Sequence, residues 1–348
     1  MDRQNEGSLN RPTLKDVARE ANVSLKTASR VLNDERYVRP QVRSRVKDAI
    51  TRLGYRSNDL ARTLKLGTTR TIGLVIADIS NPFYASCAQG VARVARQRGY
   101  SVVLSASDEG LQAEREYVEL LVRQRIAGLL LVPAAGDHSY LESERSRGLP
   151  IVALDRPLTG LDSDCVLVEN EAGARAMTEH LIAHGRRRIA LLSGSLDIYT
   201  YAMRLQGYRL AMAAAGVPEM IRMIDPTVEG AAAATVELMS EPEPPDSICC
   251  VNNRVTVGVL GALGRLGISI PDDLAVIGFD DFELSDVVRP RLTMVRQPSI
   301  DLGMSAATLL IDRIEGLESG PPRAVTLPVD VMIRDSCGPH EGFGGVPA

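Results

Sequence analysis

The sequence predicts an α/β protein in which a small all-helical domain precedes a larger body built from two parallel sheets. Three observations carry this prediction. The first 66 residues hold 15 Lys and Arg against 8 Asp and Glu, whereas the remaining 282 hold 25 against 36. Apolar residues recur at helical spacing in the basic part, and strand-length apolar runs alternate with helices from Thr71 onward. The chain has 348 residues, enough for two or three domains.

The basic part predicts three short helices. Thr13 and Asp16 have the spacing of a capping box at the start of the first helix. Ser24 is placed to cap the second helix after a connection of helix-turn-helix length. Pro40 suits the first turn of the third helix, and Gly54 suits its end. The apolar stripe of the first helix is formed by Leu14, Val17, Ala18 and Ala21.

The second helix has an outer face that its apolar residues leave free. Ala28, Val31 and Leu32 lie on the inner face and anchor the helix in the small core. An α-helix fits the major groove of DNA, where Arg and Lys side chains can read guanine acceptors. The pattern therefore predicts DNA reading, although a small bundle with a basic surface and no nucleic acid fits it too. The outer residues are Leu25, Lys26, Ser29 and Arg30.

The sequence of the body predicts two similar α/β halves. The strand-like runs are TIGLVIAD, YSVVLSAS, AGLLLVPA and PIVALDRP, followed by DCVLVEN, RRIALLSG, DSICCVNN and LAVIGFDD. Helical segments lie between most of them, and this alternation is typical of parallel sheets with helices on both faces. The later segments LTMVRQP and AVTLPVDVMIRD are predicted to cross between the halves.

Polar side chains gather just after the apolar runs of the body. Open α/β sheets bind ligands outside the carboxyl ends of their strands, so these side chains are candidates for a ligand site. Carboxylate, amide and guanidinium groups bond to adjacent hydroxyls, and aromatic rings stack on the apolar face of a sugar. The predicted set is Asp78, Phe83, Tyr84, Asp155, Thr200, Arg204, Asn252, Asp280 and Gln297.

Some of these residues also fit a purely structural role. Phe83 could belong to the core, and Asp78 could pair with an arginine across the cleft. Asp155 or Asp280 could cap a helix or hold a lobe together. The sequence leaves both interpretations open for each residue.

Motifs for catalysis, metal binding and membrane insertion are missing from the sequence. There is no P-loop, HLIAH lacks the glutamate of a metalloprotease helix, and SGS around Gly194 is not a nucleophile elbow. No apolar run reaches membrane-spanning length, and the polar N-terminus lacks a secretory signal. The five scattered cysteines suggest neither disulfides nor a zinc site. We therefore expect a cytoplasmic protein that is not an enzyme and needs no metal or cofactor.

Two segments closely resemble the LacI-type family of transcriptional regulators, which includes lactose, purine and ribose repressors. They are TLKDVAREANVSLKTASRVLND and YRSNDLARTLKLGTTRTIGLVIADISNPFY. The resemblance extends from about Thr13 to Asp335. It implies an N-terminal three-helix helix-turn-helix DNA-binding domain and a two-lobed body that resembles a periplasmic binding protein.

The resemblance also implies domain boundaries. The helix-turn-helix domain is expected at 12–56, a hinge helix with its linker at 57–69, and a tail at 337–348. The effector-binding and dimerisation body is expected at 70–336. Within it, lobe 1 takes about 70–167 and 295–325, and lobe 2 takes about 168–294 and 326–336.

A hinge helix of this family forms when two copies meet on operator DNA, and a leucine from each copy wedges into the minor groove. Leu64 matches that leucine, and Ala61 matches the small residue that lets the two hinges approach. This chain departs from the family with Ser57, where proline is frequent, and with Asp59, which adds a negative charge. The implied DNA-binding set is Thr13, Ser24, Leu25, Lys26, Thr27, Ser29, Arg30, Asn33, Tyr37, Asn58, Ala61, Arg62 and Leu64.

Three of the cleft residues match effector-contacting motifs of the family. Arg204 stands in RLQG, which matches an R-x-x-G motif, and Asp280 stands in IGFD. Asn252 matches the asparagine of an N-D motif, although Asn253 replaces the usual aspartate. The implied effector is a small molecule, expected to be a sugar or sugar derivative.

The other implied partners are pseudo-palindromic double-stranded operator DNA and a second copy of the chain. The dimer surface is expected on apolar faces of lobe 1, around Val91, Val94 and Leu111–Leu121. The resemblance thus predicts that this chain is a sequence-specific transcriptional regulator, expected to be a repressor, that an effector controls allosterically. A purine-responsive regulator and a cytoplasmic solute-binding protein are the alternatives.

Overall fold

The computed structural model describes residues 12–32, 37–55 and 69–338. The chain divides into two compact units after Thr69. The tail from residue 339 onward lies outside the described residues, as do Ser57 and Asp59. The same holds for the predicted DNA-binding residues Asn33, Asn58, Ala61, Arg62 and Leu64.

The described residues of the first unit form three helices, α1 (Leu14–Glu20), α2 (Leu25–Leu32) and α3 (Pro40–Leu53). One half of the predicted capping box at α1 is present: a carboxylate oxygen of Asp16 accepts the backbone N–H of Thr13 at 2.9 Å and its hydroxyl at 2.7 Å, whereas the Thr13 side chain accepts no cap hydrogen bond. These bonds lower the pKa of Asp16. Gly54 ends α3 in the left-handed conformation, with φ of 58°. The small core consists of Val17, Ala18, Ala21, Ala28, Val31, Val46 and Ala49.

The second unit contains two six-stranded sheets, one in each lobe, and this confirms the predicted two-lobed α/β body. The lobe 1 strands are β1 (Thr71–Ile76), β2 (Ser101–Ala106), β3 (Gly128–Leu131), β4 (Ile151–Leu154), β5 (Asp164–Val168) and β11 (Ala324–Leu327). The lobe 2 strands are β6 (Ile189–Ser193), β7 (Met220–Met223), β8 (Ser247–Cys250), β9 (Ala275–Phe279), β10 (Thr293–Arg296) and β12 (Asp330–Met332).

Helices cover both sheets. Lobe 1 carries α4 (Pro82–Gln97), α5 (Leu111–Arg123), α6 (Glu142–Ser146) and α11 (Ser299–Ile314). Lobe 2 carries α7 (Asn170–Ala183), α8 (Tyr199–Ala215), α9 (Val228–Met239) and α10 (Asn253–Leu266). Short 3₁₀ turns lie at Ser139–Leu141, Glu283–Asp286 and Asp335–Cys337.

The two sheets have the same arrangement. Their orders are β11-β5-β4-β3-β1-β2 and β12-β10-β9-β8-β6-β7, and every pairing is parallel except that of β12 with β10. The inner strands are buried along their length, as apolar runs covered on both faces should be. The chain therefore has two α/β lobes whose strands end toward each other.

All three crossings between lobes come slightly later than the sequence suggested. Strand β5 keeps the chain in lobe 1 through Val168, whereas lobe 2 was expected to begin at 168. Strand β10 keeps the chain in lobe 2 through Arg296, whereas lobe 1 was expected to resume at 295. Strand β11 keeps the chain in lobe 1 through Leu327, whereas lobe 2 was expected to resume at 326. The apolar pattern marks a strand, but pairing with neighbouring strands sets its last residue.

The prediction that Val91 and Val94 lie on an exposed dimer surface is wrong. Both lie on the inner face of α4, where they are 0% and 6% exposed in the lobe 1 core. The apolar side chains that lobe 1 does expose include Leu104, Tyr117 and Leu120, on β2 and α5. Helical periodicity identifies an apolar face but does not tell whether the lobe itself covers it.

All five cysteines are buried free thiols. Among the described helices, none is both long and apolar enough to cross a membrane.

Candidate functional site

A cavity of about 380 Å³ lies between the two lobes at the carboxyl ends of their strands. The segments that follow β1, β2 and β4 line it from lobe 1, and those that follow β6 to β10 line it from lobe 2. This is the place where open parallel sheets bind ligands. All nine residues predicted from the sequence line this one cavity: Asp78, Phe83, Tyr84, Asp155, Thr200, Arg204, Asn252, Asp280 and Gln297.

Each lobe places an aspartate directly after its corresponding strand, β4 or β9. Asp155 and Asp280 are both buried and both have φ of 70°, a left-handed conformation that is uncommon outside glycine. Burial raises the pKa of Asp155 to about 6 and also raises the pKa of Asp280, against the opposing effect of nearby arginines. Both carboxylates are thus buried, and each is held by a strained backbone position at the end of a strand.

Arg156 enters the cavity from lobe 1 and is held by several partners. Its two Nη atoms donate to the two carboxylate oxygens of Glu109 at 2.6 and 2.7 Å. They also donate to the Pro133 carbonyl at 3.1 Å and to the Tyr84 hydroxyl at 2.9 Å. Only 4% of Arg156 is exposed. A guanidinium with this many fixed partners is already oriented before any ligand contacts it.

Arg204 enters from lobe 2, where its anchors are mostly uncharged. Its Nε donates to the Asn170 side chain at 2.9 Å, and Nη1 donates to the Val251 carbonyl at 2.5 Å. Nη2 lies 3.5 Å from a carboxylate oxygen of Asp280. The guanidinium carbon stands 3.7 Å from the centre of the Phe279 ring, a cation–π contact. The helix can bring Arg204 here because Gly207 allows α8 to approach α7: a Cβ at Gly207 would lie 2.2 Å from the Glu171 carbonyl oxygen.

Amide side chains complete the polar lining. Asn252 caps α10 by accepting the Val255 N–H at 2.8 Å, and its amide donates to the Tyr201 hydroxyl at 3.0 Å. Gln297 donates to Asp280. Among the residues that line the cavity, three buried atoms have no hydrogen-bond partner within the described part of the chain: Oδ1 of Asp155, Oε1 of Gln297 and Nε of Arg156. Two acceptors and one donor of the lining residues are therefore unsatisfied, although Nε of Arg156 lies 3.5 Å from a carboxylate oxygen of Asp155.

Two side chains of lobe 2 form three hydrogen bonds to lobe 1 at one side of the cavity. Arg254 of lobe 2 donates to Asp78 at 3.0 Å and to the Ser80 hydroxyl at 2.6 Å. Asn253 donates to the Asn81 side chain at 2.9 Å. Asp78 therefore does pair with an arginine across the cleft, the structural alternative that the sequence left open.

Sequence reasoning missed about half of the lining. Asn81, Arg156, Tyr201 and Arg254 lie within the strand-end segments that the pattern marked, but none was singled out. The loops after β2 and β7 were overlooked. They contribute Asp108, Glu109, Asp225, Pro226 and Thr227. Applying the strand-end rule to YSVVLSAS would have found the loop after β2. Strand β7 is only half-buried and was not among the predicted runs, so the rule could not identify its loop.

The first unit presents the second candidate surface. Leu25, Lys26 and Arg30 are exposed on α2, and Leu25 exposes 46% of its surface. Ser24 caps the helix by accepting the Thr27 N–H at 3.1 Å, and Ser29 is half-buried. The remaining predicted residues that are described, Thr13 and Tyr37, are exposed too. The basic outer face expected of a groove-reading helix is therefore present.

Comparisons with known proteins agree with this architecture. Residues 13–58 match the family model described as bacterial regulatory proteins, lacI family, and residues 178–337 match a periplasmic binding protein-like domain. The ribose operon repressor of Escherichia coli (strain K12) is 38% identical over 307 residues, which is 87% of this chain and 93% of that protein.

Two solved structures resemble the chain, one over nearly its whole length and one over about four fifths of it. The lac repressor dimer bound to operator and the anti-inducer ONPF has a TM-score of 0.85 at 27% identity, covering 94% of this chain and 99% of that one. A LacI family transcriptional regulator from Enterococcus faecium with bound ribose has a TM-score of 0.71 at 26% identity, covering 78% and 100%.

A helix-turn-helix unit joined to a two-lobed body with an interlobe cavity defines the class of regulators that resemble periplasmic binding proteins. Within that class, the chain belongs to the LacI family of bacterial regulatory proteins. Membership makes it a DNA-binding transcription regulator.

Proposed function

We propose that the chain represses transcription as a cytoplasmic homodimer on a pseudo-palindromic operator, and that a neutral sugar in the interlobe cavity controls its affinity for DNA. The observation that carries the proposal is the single cavity that collects all nine predicted residues from both lobes. A ligand that contacts both lobes binds best at one interlobe angle. It can therefore shift the equilibrium between two conformations of the body.

The hydrogen-bonding groups of the cavity favour a polyhydroxyl ligand. The unpartnered atoms of Asp155 and Gln297 are acceptors, and that of Arg156 is a donor. A hydroxyl group can donate and accept at once, so adjacent hydroxyls of a sugar can satisfy both kinds of atom. Phe83, Tyr84 and Tyr201 add aromatic surface for the apolar face of the ring.

The charge of the cavity favours a ligand without phosphate. Six carboxylates line it against three guanidinium groups. Each of those guanidinium groups already lies within 3.5 Å of a carboxylate oxygen. A phosphate would bring further negative charge into a buried, acidic site, where like charges repel strongly. We therefore expect the neutral sugar to bind more tightly than its phosphate ester.

The relatives suggest the first sugar to test. One similar protein is named a ribose operon repressor, and one similar structure contains bound ribose. D-Ribose is small enough for a cavity of about 380 Å³. It is therefore the probe of choice for this chain.

Dimerisation follows from how a single recognition helix reads DNA. One such helix contacts only a few base pairs, so useful specificity needs two heads on two half-sites about one helical turn apart. The lac repressor, a similar protein, is a dimer in its structure with operator. The exposed side chains of Leu104, Tyr117 and Leu120 offer lobe 1 an apolar surface for pairing, next to the edge strand β2.

A thermal-shift panel followed by calorimetry tests the ligand. The panel contains D-ribose, other neutral pentoses and hexoses, their phosphates, and the purines hypoxanthine and guanine. We expect D-ribose to raise the melting temperature and D-ribose 5-phosphate to bind at least about ten-fold more weakly. Stabilisation by a phosphate or a purine, with no response to any neutral sugar, would overturn the assignment.

A further inference from the structure

A buried polar cluster lies behind the wall of the cavity that holds Arg156. Glu114, on α5, is 0% exposed. One of its carboxylate oxygens accepts the Ala134 N–H at 2.6 Å, and the other accepts the Tyr140 hydroxyl at 2.7 Å. Nε2 of His138 lies 3.3 Å from that second oxygen, although not aligned as a full hydrogen bond. Burying a carboxylate is costly unless its donors are fixed around it, so this cluster is tightly defined.

His138 joins the two loops that carry the cavity wall. Its backbone N–H donates to the Thr159 carbonyl at 2.8 Å, and the Thr159 N–H donates to His138 Nδ1 at 3.3 Å. The loop with His138 follows β3, and the loop with Thr159 follows β4 and contains Arg156. Since Nδ1 accepts a hydrogen bond, the ring proton resides on Nε2, beside the carboxylate of Glu114.

The same cluster fixes a partner of Arg156. Ala134, which is bonded to Glu114, directly follows Pro133, whose carbonyl accepts a hydrogen bond from Arg156. Glu109, which holds the guanidinium from the other side, lies two residues before α5 begins. The start of α5 therefore determines the position of Arg156 twice, once through Glu109 and once through Glu114.

We propose that Glu114 and His138 are positioning residues for ligand binding. They hold the loops after β3 and β4 in place, so that Arg156 is already fixed in the cavity before a sugar binds. The proposal rests on the proposed function in one respect, that Arg156 contacts the sugar. Preorganising a binding group lowers the cost of ordering it when the ligand binds.

Glu114→Gln is the test substitution, because it keeps the size of the side chain and removes the second acceptor oxygen. The glutamine must turn its NH2 toward the Ala134 N–H or toward Nε2–H of His138, so two donors meet in either orientation. Glu119→Gln is the matched control, because Glu119 lies on the same helix with 67% of its side chain exposed. Tyr140→Phe is the second variant, since it removes a single donor from Glu114 and leaves the backbone contacts in place.

Hydrogen–deuterium exchange of the full chain gives a readout that needs no ligand. We expect Glu114→Gln to speed the exchange of residues 134–138 and 155–160 by roughly ten-fold or more, with lobe 2 unchanged. Glu119→Gln should match the wild type. Unchanged exchange at 155–160 in Glu114→Gln would overturn the proposal, because the segment of Arg156 would then not depend on the cluster.

Calorimetry with D-ribose gives the second readout. We expect Glu114→Gln to bind D-ribose roughly ten-fold more weakly and Tyr140→Phe to show a smaller loss in the same direction. Wild-type affinity in a Glu114→Gln protein with faster loop exchange would also overturn the proposal. If the wild type fails to bind D-ribose, the ribose assignment fails. The exchange data alone then test whether Glu114 and His138 fix the loops after β3 and β4. If Glu114→Gln does not fold, Tyr140→Phe decides both readouts.

Discussion

The two lobes share a strand order but hold their cavity arginines in different ways. Strands β4 and β9 occupy the same place in the two sheets, and each is followed by an aspartate with φ of 70°. Arg156, beside the first aspartate, is neutralised by a bidentate bond to Glu109. Arg204, beside the second, donates to an amide and a carbonyl and stands over the Phe279 ring.

The two arginines come from different positions in their lobes, and their different partners predict different contributions to ligand binding. Glu109 leaves 39% of its side chain exposed, so water shares in balancing the charge of Arg156. Arg204 is 3% exposed and faces Asp280 as its acidic partner in the cavity. A buried guanidinium whose hydrogen bonds go to uncharged groups offers more of its charge to a ligand, and its loss leaves the buried carboxylate of Asp280 without this charged partner.

The largest expected effect is therefore in lobe 2. Arg204→Ala should weaken D-ribose binding by more than about 100-fold, in line with the 2–5 kcal/mol typical of truncating a buried charge pair. Arg156→Ala should cost roughly ten-fold, because Glu109 already shares its charge. Calorimetry on both variants tests whether Arg204→Ala causes the larger loss of affinity. Arg209→Ala is the control, because Arg209 is exposed and lies on the same helix as Arg204. A larger loss for Arg156→Ala would reverse the comparison.

A second prediction concerns the stability of lobe 2. Gly207→Ala should lower the free energy of unfolding by about 1–3 kcal/mol, because the added methyl group overlaps the backbone of α7. Gly261→Ala, in α10, is the control, since the nearest atom there is a flexible arginine nitrogen at 3.6 Å. That change should be neutral or stabilising by up to about 1 kcal/mol. Urea denaturation measures both, and equal midpoints would show that α8 does not pack tightly on α7.

The smallest expected effect is on the pH dependence of binding. The pKa of Asp155 is raised to about 6 by burial, against the opposing charges of Arg156 and Arg204 and with help from Asp280 and Glu109. A sugar hydroxyl that donates to the carboxylate favours its ionised form, so affinity is full above this pKa and falls as the pH drops through it. D-Ribose affinity should fall up to about 4-fold between about pH 7.5 and 5.5. An Asp155→Asn variant with the same pH profile as the wild type would contradict this cause.

The sequence predicted the cavity residues that follow long apolar runs, and it missed those fixed by tertiary contacts. Asp155 and Asp280 could be found because parallel strands bring their carboxyl ends to one edge. Glu109 could not be assigned to Arg156, since the two lie 47 residues apart and meet only when β2 and β4 join one sheet. Glu114 and His138 are hidden for the same reason: their pairing depends on how α5 packs.

For the helices too, local features could be predicted from the sequence, whereas packing could not. Thr13 with Asp16 and Gly54 were predicted from local chemistry alone, because a cap involves residues within one turn. Val91 and Val94 were misassigned to a dimer surface, because an apolar helical face packs equally well on its own lobe or on a partner. Only the packing of α4 in lobe 1 distinguishes the two.

Operator binding with and without sugar tests the central claim most directly. Fluorescence anisotropy would follow the full chain on a labelled fragment of its own promoter, with a scrambled fragment as competitor. We expect a site-selective complex whose affinity changes at least about five-fold at saturating D-ribose, in the range typical of allosteric coupling. Arg204→Ala should lose this response. A chain that binds both fragments alike, or a wild-type response that Arg204→Ala retains in full, would contradict control from the interlobe cavity.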